Sequence, residues 1–225
     1  MEKVSCIIAA YNEGPRIEKV LAAAYQHPLI SEIIVVDDGS EDDTQNVVKK
    51  FPGITLIVHE KNKGKSKTVL TGIAHSTGEK ILLLDADLIG LTPRDISDLI
   101  EPVISGRADI SISLRQNAPW IWRAIGIDFI SGERVFSRAL IQNNFEEIKR
   151  LPRFGLESYL NTLVIKNTCR IKIVFWKNVI SPWKYKKAGL FSGIKGDFLM
   201  IVDVFRTISV FEAIYQIIKM SLLKV

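Results

Sequence analysis

The sequence predicts an α/β fold, a mainly parallel sheet flanked by helices, followed by a C-terminal amphipathic helical tail. Three observations carry this. Apolar runs at Val4 to Ala10, Glu32 to Val36, Ile54 to Val58, Lys80 to Leu84 and Ala108 to Leu114 alternate with amphipathic stretches. The first four runs lack strict two-residue alternation, as strands covered on both faces do. Strand and helix in regular succession predict right-handed βαβ units.

Each element has its own justification. The opening "MEKVSCIIAAYN" has an apolar run too short for a signal peptide and is expected to form the first strand. Helices are expected near Glu13 to Gln26, Asp42 to Lys50, Lys65 to Ser76 and Pro93 to Ser105. "SEDDT" supplies caps and acids to the second of these. "LTPRD" gives the fourth Thr92 as N-cap and Pro93 in its first turn. After Arg115 the pattern is less regular. "NAPWIWRAIGIDFISGERVF" is aromatic-rich with a Gly132 turn, "LPRFGLESYLNTLVI" reads as loop then helix, and "RIKIVFW" as a strand.

Composition narrows the class. With 225 residues and 47% hydrophobic residues, the chain fits one α/β domain with a tail. Cys6 and Cys169 form neither a disulfide framework nor a metal-ligand pattern, so a reducing cytoplasm is expected. The net charge of +5 is uneven: Lys166 to Val225 hold 11 Lys/Arg against 3 Asp/Glu, and the remainder 19 against 22. A basic tail suits an anionic membrane surface or a nucleic acid. Aromatics and lysines coincide only at "PWKYKK", with no known nucleic-acid module, so nucleic acid is not expected as a partner. The tail is broken by Asp203, Arg206, Glu212 and Lys219, so no uncharged run reaches the ~20 residues that span a bilayer. A helix packed on the domain and a helix lying in a membrane interface both remain open. Trp183, Tyr185 and the neighbouring lysines favour the interface.

The chemistry concentrates at strand ends. In an open parallel sheet, ligands bind outside the carboxyl ends of the strands. The second run ends "VVDDGS", with Asp37 and Asp38, and the fourth ends "LLLDAD", with Asp85 and Asp87. On an extended chain, residues i and i+2 point to one side, so Asp85 and Asp87 are expected to converge. Two such carboxylates repel unless a cation lies between them, and an oxygen-preferring ion such as Mg²⁺ or Mn²⁺ suits them. Taken alone, the pair reads more readily as turn and helix-capping acids than as a metal site. "NKGKSKTVLTG" follows the third run; Gly64 permits close backbone approach, and Lys65 and Lys67 can face phosphate oxygens, although Walker A spacing is absent.

Together these stretches resemble the family 2 glycosyltransferases of the Rossmann-like GT-A fold. "SCIIAAYNEGPRI", "IIVVDDGSEDDT", "NKGKSKTVLTGI" and "LLLDADLIG" are similar, in order and spacing, to four motifs of that family. They cover about Met1 to Leu114. The resemblance implies a nucleotide-diphosphate sugar donor and Mg²⁺ or Mn²⁺ as cofactor. Tyr11, Glu13 and Asp38 would contact base and ribose, with Asp37 beside them in the nucleotide site. Asp85 and Asp87 would hold the metal and diphosphate, with Lys65 nearby, which makes Asp87 a candidate catalytic residue. The domain would run over 1–195, with a nucleotide-sugar half at 1–115 and an acceptor half at 116–195, and the tail over 196–225.

In the second half, "SGERVF" could offer Arg134 to an anionic acceptor or be a strand edge. "FGLESYLN" resembles the loop and helix that carry an acid in related enzymes, making Glu157 the candidate base. "VISPWKYKKAGL" is similar to a segment where some relatives place a metal-ligating histidine; counting back from Lys184 and Gly189, that position holds Ser181. None of His27, His59 and His75 is expected as a ligand. The acceptor implied is a polyprenyl phosphate, with the enzyme at the inner face of the membrane, or a small phosphorylated molecule handled by a soluble enzyme. Rival classes are a sugar-phosphate nucleotidyltransferase, whose Gly-rich loop after the first strand is missing here, and an inactive nucleotide-sugar-binding protein.

Overall fold

Runs rich in Val, Ile and Leu need cover on both faces, and the chain provides it. The computed structural model describes residues 2–152, 155–182 and 209–225. Among these, β1 (Val4–Ala10), β2 (Glu32–Asp37), β3 (Thr55–Val58), β4 (Lys80–Asp85), β5 (Ile110–Arg115), β6 (Arg134–Ser137) and β7 (Ile171–Trp176) form one sheet in the order β3-β2-β1-β4-β6-β5-β7. β1 to β4 pair in parallel, β6 runs antiparallel between β4 and β5, and β7 is parallel to β5.

The pleat divides the core in two. Cys6, Ile8, Leu82 and Leu84 join one cluster with α1 (Gly14–Ala24), α2 (Thr44–Lys49) and α4 (Pro93–Ile104). Ile7, Ile81 and Leu83 join the other, with α3 (Lys65–His75) and the later helices. Those are α5 (Trp120–Ile125), α6 (Ala139–Gln142), α7 (Phe145–Lys149), α8 (Leu156–Lys166) and α9 (Val210–Leu222). Thr92 does cap α4, accepting from the Asp95 amide at 3.3 Å. The expected elements of the first half are present, with ends shifted by one or two residues.

One segment departs from expectation, and the tail meets one of the two readings left open for it. "SGERVF" is neither a turn nor a surface edge: Arg134 to Phe136 are fully buried in β6. Its polar residues had disguised an interior strand. The tail helix α9 packs on α8 through Ala213, Gln216 and Met220; the Gln216 side chain donates to Ser158 O and Thr162 Oγ1. Phe211, Ile214, Ile218 and Leu222 nonetheless stay exposed in one row. Trp183, Tyr185 and the neighbouring lysines, on which the interface reading drew, lie outside the described residues, as do Asp203 and Arg206, which interrupt the tail. Among the described residues no helix is long and apolar enough to cross a membrane.

Candidate active site

The strand order reverses at β1, which has β2 on one side and β4 on the other. The crevice beyond such a reversal is the usual ligand site of an open sheet. Ala10 stands opposite Asp37 and Ala9 opposite Asp85, so the two acidic strand ends flank the end of β1. Tyr11, the next residue, is 45% exposed there.

The β1 and β2 loops lock together. Ser40 Oγ accepts from the Asn12 amide and Asn12 Oδ1 from the Glu41 amide, each at 2.9 Å. Thr44 Oγ1 accepts from the Glu13 amide at 2.9 Å, and Asp42 accepts from Gly14 N at 3.0 Å. Within "SEDDT", Asp42 and Thr44 thus tie down the start of α1, and Asp42 also accepts from the Thr44 amide that opens α2. The Glu13 carboxylate pairs with Arg16 at 2.5 Å. Asp37 is buried and takes bonds from Ser40 and from Gln45 Nε2, the latter at 2.8 Å. Asp38 is also buried; its Oδ1 accepts from Lys63 N at 2.9 Å and its Oδ2 from Gly64 N at 2.8 Å.

Lys65, the first residue of α3, is the hub of the opposite side. Its Nζ lies 2.7 Å from Asp85 Oδ1 and 2.9 Å from Glu157 Oε1. Glu157 is far away in sequence; Ser66 brings it in. Ser66 Oγ donates to Pro152 O at 2.9 Å and accepts from Gly155 N at 3.2 Å, pinning the start of α8 to the start of α3. Burial opposes the Lys65 ammonium, but Asp85 and Glu157 outweigh it and hold its pKa above the ordinary lysine value. Burial likewise opposes the Asp85 carboxylate, yet Lys65 and then Arg115 bring its pKa down to about 2.

Asp85 and Asp87 keep different company. β4 ends at Asp85, and Ala86 and Asp87 form a turn, so the strand argument for convergence stops one residue short. Asp87 is met by Ser181, whose Oγ donates at 3.2 to 3.3 Å to its two oxygens. Ser181 is itself clipped in place: Asn117 Nδ2 donates to its carbonyl at 2.7 Å, and its amide donates to Asn117 Oδ1 at 3.3 Å. A bridge between Ile89 and Ile180 adds to the hold. The position counted out along the sequence therefore does sit beside Asp87. Among the described residues no group of three or more His, Cys, Asp and Glu side chains could hold a metal ion. The donors present, two carboxylates and a hydroxyl, are hard oxygens and fit Mg²⁺ or Mn²⁺ completed by substrate oxygens and water.

Arg134 is not at the mouth of the site. It is fully buried, donating to Ser131 O, Phe129 O and Asn161 Oδ1 at 2.6 to 2.8 Å, so it braces the fold. A second cation joins Lys65 near Asp85: Arg115, at the end of β5. It lies 3.1 Å from Glu133, 3.6 Å from Asp128 and 3.9 Å from Asp85. Its Nε is buried with no hydrogen-bond partner among the described residues. Burial raises the pKa of Glu133 and Asp128, with Arg115 opposing in both. The strand-end rule that picked out the acids would also have found Arg115, had it been applied to cations. Glu133 and Gly132 had no such signal, because only the antiparallel course of β6 puts them at this edge.

The family model for glycosyl transferase family 2 matches residues 5–152. The chain belongs to glycosyl transferase family 2. An undecaprenyl-phosphate 4-deoxy-4-formamido-L-arabinose transferase of Sodalis glossinidius is 34% identical to this family 2 chain over 131 residues, 54% of the chain and 40% of the relative. A dolichyl-phosphate beta-glucosyltransferase of Trichomonas vaginalis is 39% identical over 118 residues, covering 47% and 34%. The chain thus spans less than half the length of these curated relatives. Glucosyl-3-phosphoglycerate synthase of Mycobacterium tuberculosis, crystallised with Mn²⁺, UDP and glucosyl-3-phosphoglycerate, superposes with a TM-score of 0.68. That match is 22% identical and covers 92% of this chain and 80% of the other, a likeness of fold.

Proposed function

We propose that this family 2 protein transfers a glycosyl group from a nucleotide-diphosphate sugar to a phosphorylated acceptor, a polyprenyl phosphate at a membrane face. The observation that carries the reading is Lys65 held between Asp85 and Glu157 at the reversal point of the sheet, with Asp87 and Ser181 beside it. The nucleoside would lie over Tyr11, Glu13, Asp37 and Asp38, and the diphosphate would reach Lys65. Mg²⁺ or Mn²⁺, held by Asp87 with Asp85 and Ser181, would stabilise the negative charge of the departing nucleoside diphosphate.

In the transfer an acceptor oxygen bonds to the anomeric carbon, the bond from that carbon to the diphosphate breaks, and the nucleoside diphosphate leaves with the electron pair. Lys65 supplies a fixed positive charge where negative charge develops. A phosphate acceptor arrives ionised and needs no base; a hydroxyl acceptor would give its proton to Glu157. The orphan Nε–H of Arg115 supports an anionic acceptor or diphosphate at this edge. The exposed row on α9, with Trp120 79% exposed on α5, supports a membrane face.

The test is turnover of the full chain with a panel of nucleotide-sugars, Mg²⁺ or Mn²⁺, and either polyprenyl phosphate in vesicles or phosphoglycerate in solution. Glycosylated polyprenyl phosphate is the expected product. Product on phosphoglycerate alone would remove the membrane acceptor. No turnover, with nucleotide binding indifferent to chelator and to Asp87→Ala, would overturn the whole reading.

A further inference from the structure

We infer that His59 is a positioning residue of the donor site, acting through Asp38 on the loop that delivers Lys65; this rests on the function proposed above. His59 follows β3 and is 5% exposed. Its Nδ1 lies 2.8 Å from Asp38 Oδ1. An ionised carboxylate only accepts, so Nδ1 carries the proton in this bond. The same Oδ1 takes the Lys63 amide and Oδ2 the Gly64 amide. Three donors from two segments therefore fix the Asp38 side chain, and the imidazole is the only one of them that is not part of the loop being held.

The far side of the ring is also committed. Nε2 lies 3.1 Å from Thr71 Oγ1, whose single hydroxyl proton is shared between that nitrogen and Lys67 O, 3.0 Å away within α3. The His59 amide donates to Asp37 O at 2.9 Å. One residue thus joins the end of β2, the end of β3 and the first two turns of α3. What it holds is the glycine turn that leads into α3. Gly64 has φ +90° and precedes Lys65 directly, so its amide orientation sets where α3 starts and where the Lys65 side chain departs. A lysine that must reach two carboxylates across the crevice loses its geometry if that start drifts by an ångström. Without the imidazole, the Asp38 carboxylate is held, among the described residues, only by the two amides it is meant to fix.

Two substitutions separate this role from plain core packing. His59→Asn places an amide N–H where Nδ1 stands and keeps the Asp38 bond; His59→Gln reaches toward Thr71 and forfeits it. Binding of UDP, GDP, CDP and ADP with Mg²⁺ is measured by calorimetry on the full chain. For whichever nucleotide binds, His59→Asn is expected to stay within threefold of wild type and His59→Gln to weaken it at least tenfold. Equal affinities in the two variants, whether both retained or both lost, overturn the inference. Amide exchange of Lys63 and Gly64 without nucleotide gives a second readout. Both amides are expected to be protected in wild type and in His59→Asn, and fast exchange in wild type overturns the inference even if the Gln variant fails to fold. Absence of nucleotide binding by the wild type counts instead against the proposed function, while the exchange result still decides the role of His59.

Discussion

Gly132 lies directly over the ion pair of Lys65 and Asp85: a Cβ at that position would meet Lys65 Nζ at 2.6 Å and Asp85 Oδ1 at 2.7 Å. The pair is close because the residue two positions before β6 has no side chain. Gly132→Ala is expected to push the flexible lysine tip aside, with little change in melting temperature and a loss of turnover of at least tenfold. Retained turnover in the alanine variant would show that the pair need not be this tight.

Lys65→Ala removes the charge shared by Asp85 and Glu157. Losing a positioned donor to a developing anion typically slows catalysis by about 10²–10³-fold. Turnover measured at saturating donor should fall by about that factor. A change confined to donor KM would mean that Lys65 binds without acting on the transition state.

Arg134→Met should unfold before it inactivates. It leaves Ser131 O and Asn161 Oδ1 without their buried donor, and Phe129 O with the Asn161 Nδ2 donor alone. Leaving buried neutral acceptors unpaired costs about 1–3 kcal/mol each. Denaturant melts check the size. An intact melting curve with a raised acceptor KM would restore Arg134 to the acceptor site.

Glu32 sets a pH dependence away from the site. Its Oε1 accepts from Ser5 Oγ at 2.6 Å, Thr77 N at 2.7 Å and Thr77 Oγ1 at 2.8 Å, joining β2 to β1 and to the turn before β4. Burial pushes its pKa up, and these bonds together bring it below the ordinary value. A depressed carboxylate pKa adds stability above the unfolded value, ~4.3, that is lost as pH falls through the folded one. Glu32→Gln should therefore cost about 1 kcal/mol at neutral pH, limited by partial exposure. The difference from wild type should shrink below about pH 4. A constant gap across that range would contradict the ionised form as the acceptor.

The α9 row gives the membrane prediction. Phe211 is 85% and Ile218 55% exposed, so aspartate at both positions should fold normally. It should also abolish co-sedimentation with anionic vesicles. Vesicle binding equal to wild type would place the contact elsewhere.

The first half of the fold was legible because each run could be read locally: Thr92 caps α4, and five apolar runs are five strands. The acidic strand ends were legible for the same reason, since a charge straight after a buried run marks the sheet edge. Arg134 was misplaced because charge suggests a surface, whereas Asn161 and two carbonyls let a guanidinium lie in the interior. Arg115 was legible as a charge at the end of a buried run, but its three acidic partners, Asp85, Asp128 and Glu133, lie on segments with no shared spacing.

By itself the sequence determined the α/β class, the order of the strands along the chain and the acids at their ends, because hydrophobic periodicity and turn chemistry act over a few residues. The tertiary structure decided which charges meet. Lys65 finds Glu157 only because Ser66 pins α8 to α3, and Asp87 finds Ser181 only because Asn117 clips a distant segment beside it. It also decided that His59, set aside as a ligand, stands behind Asp38. Such meetings depend on how strands are ordered across the sheet, and no local pattern records that order.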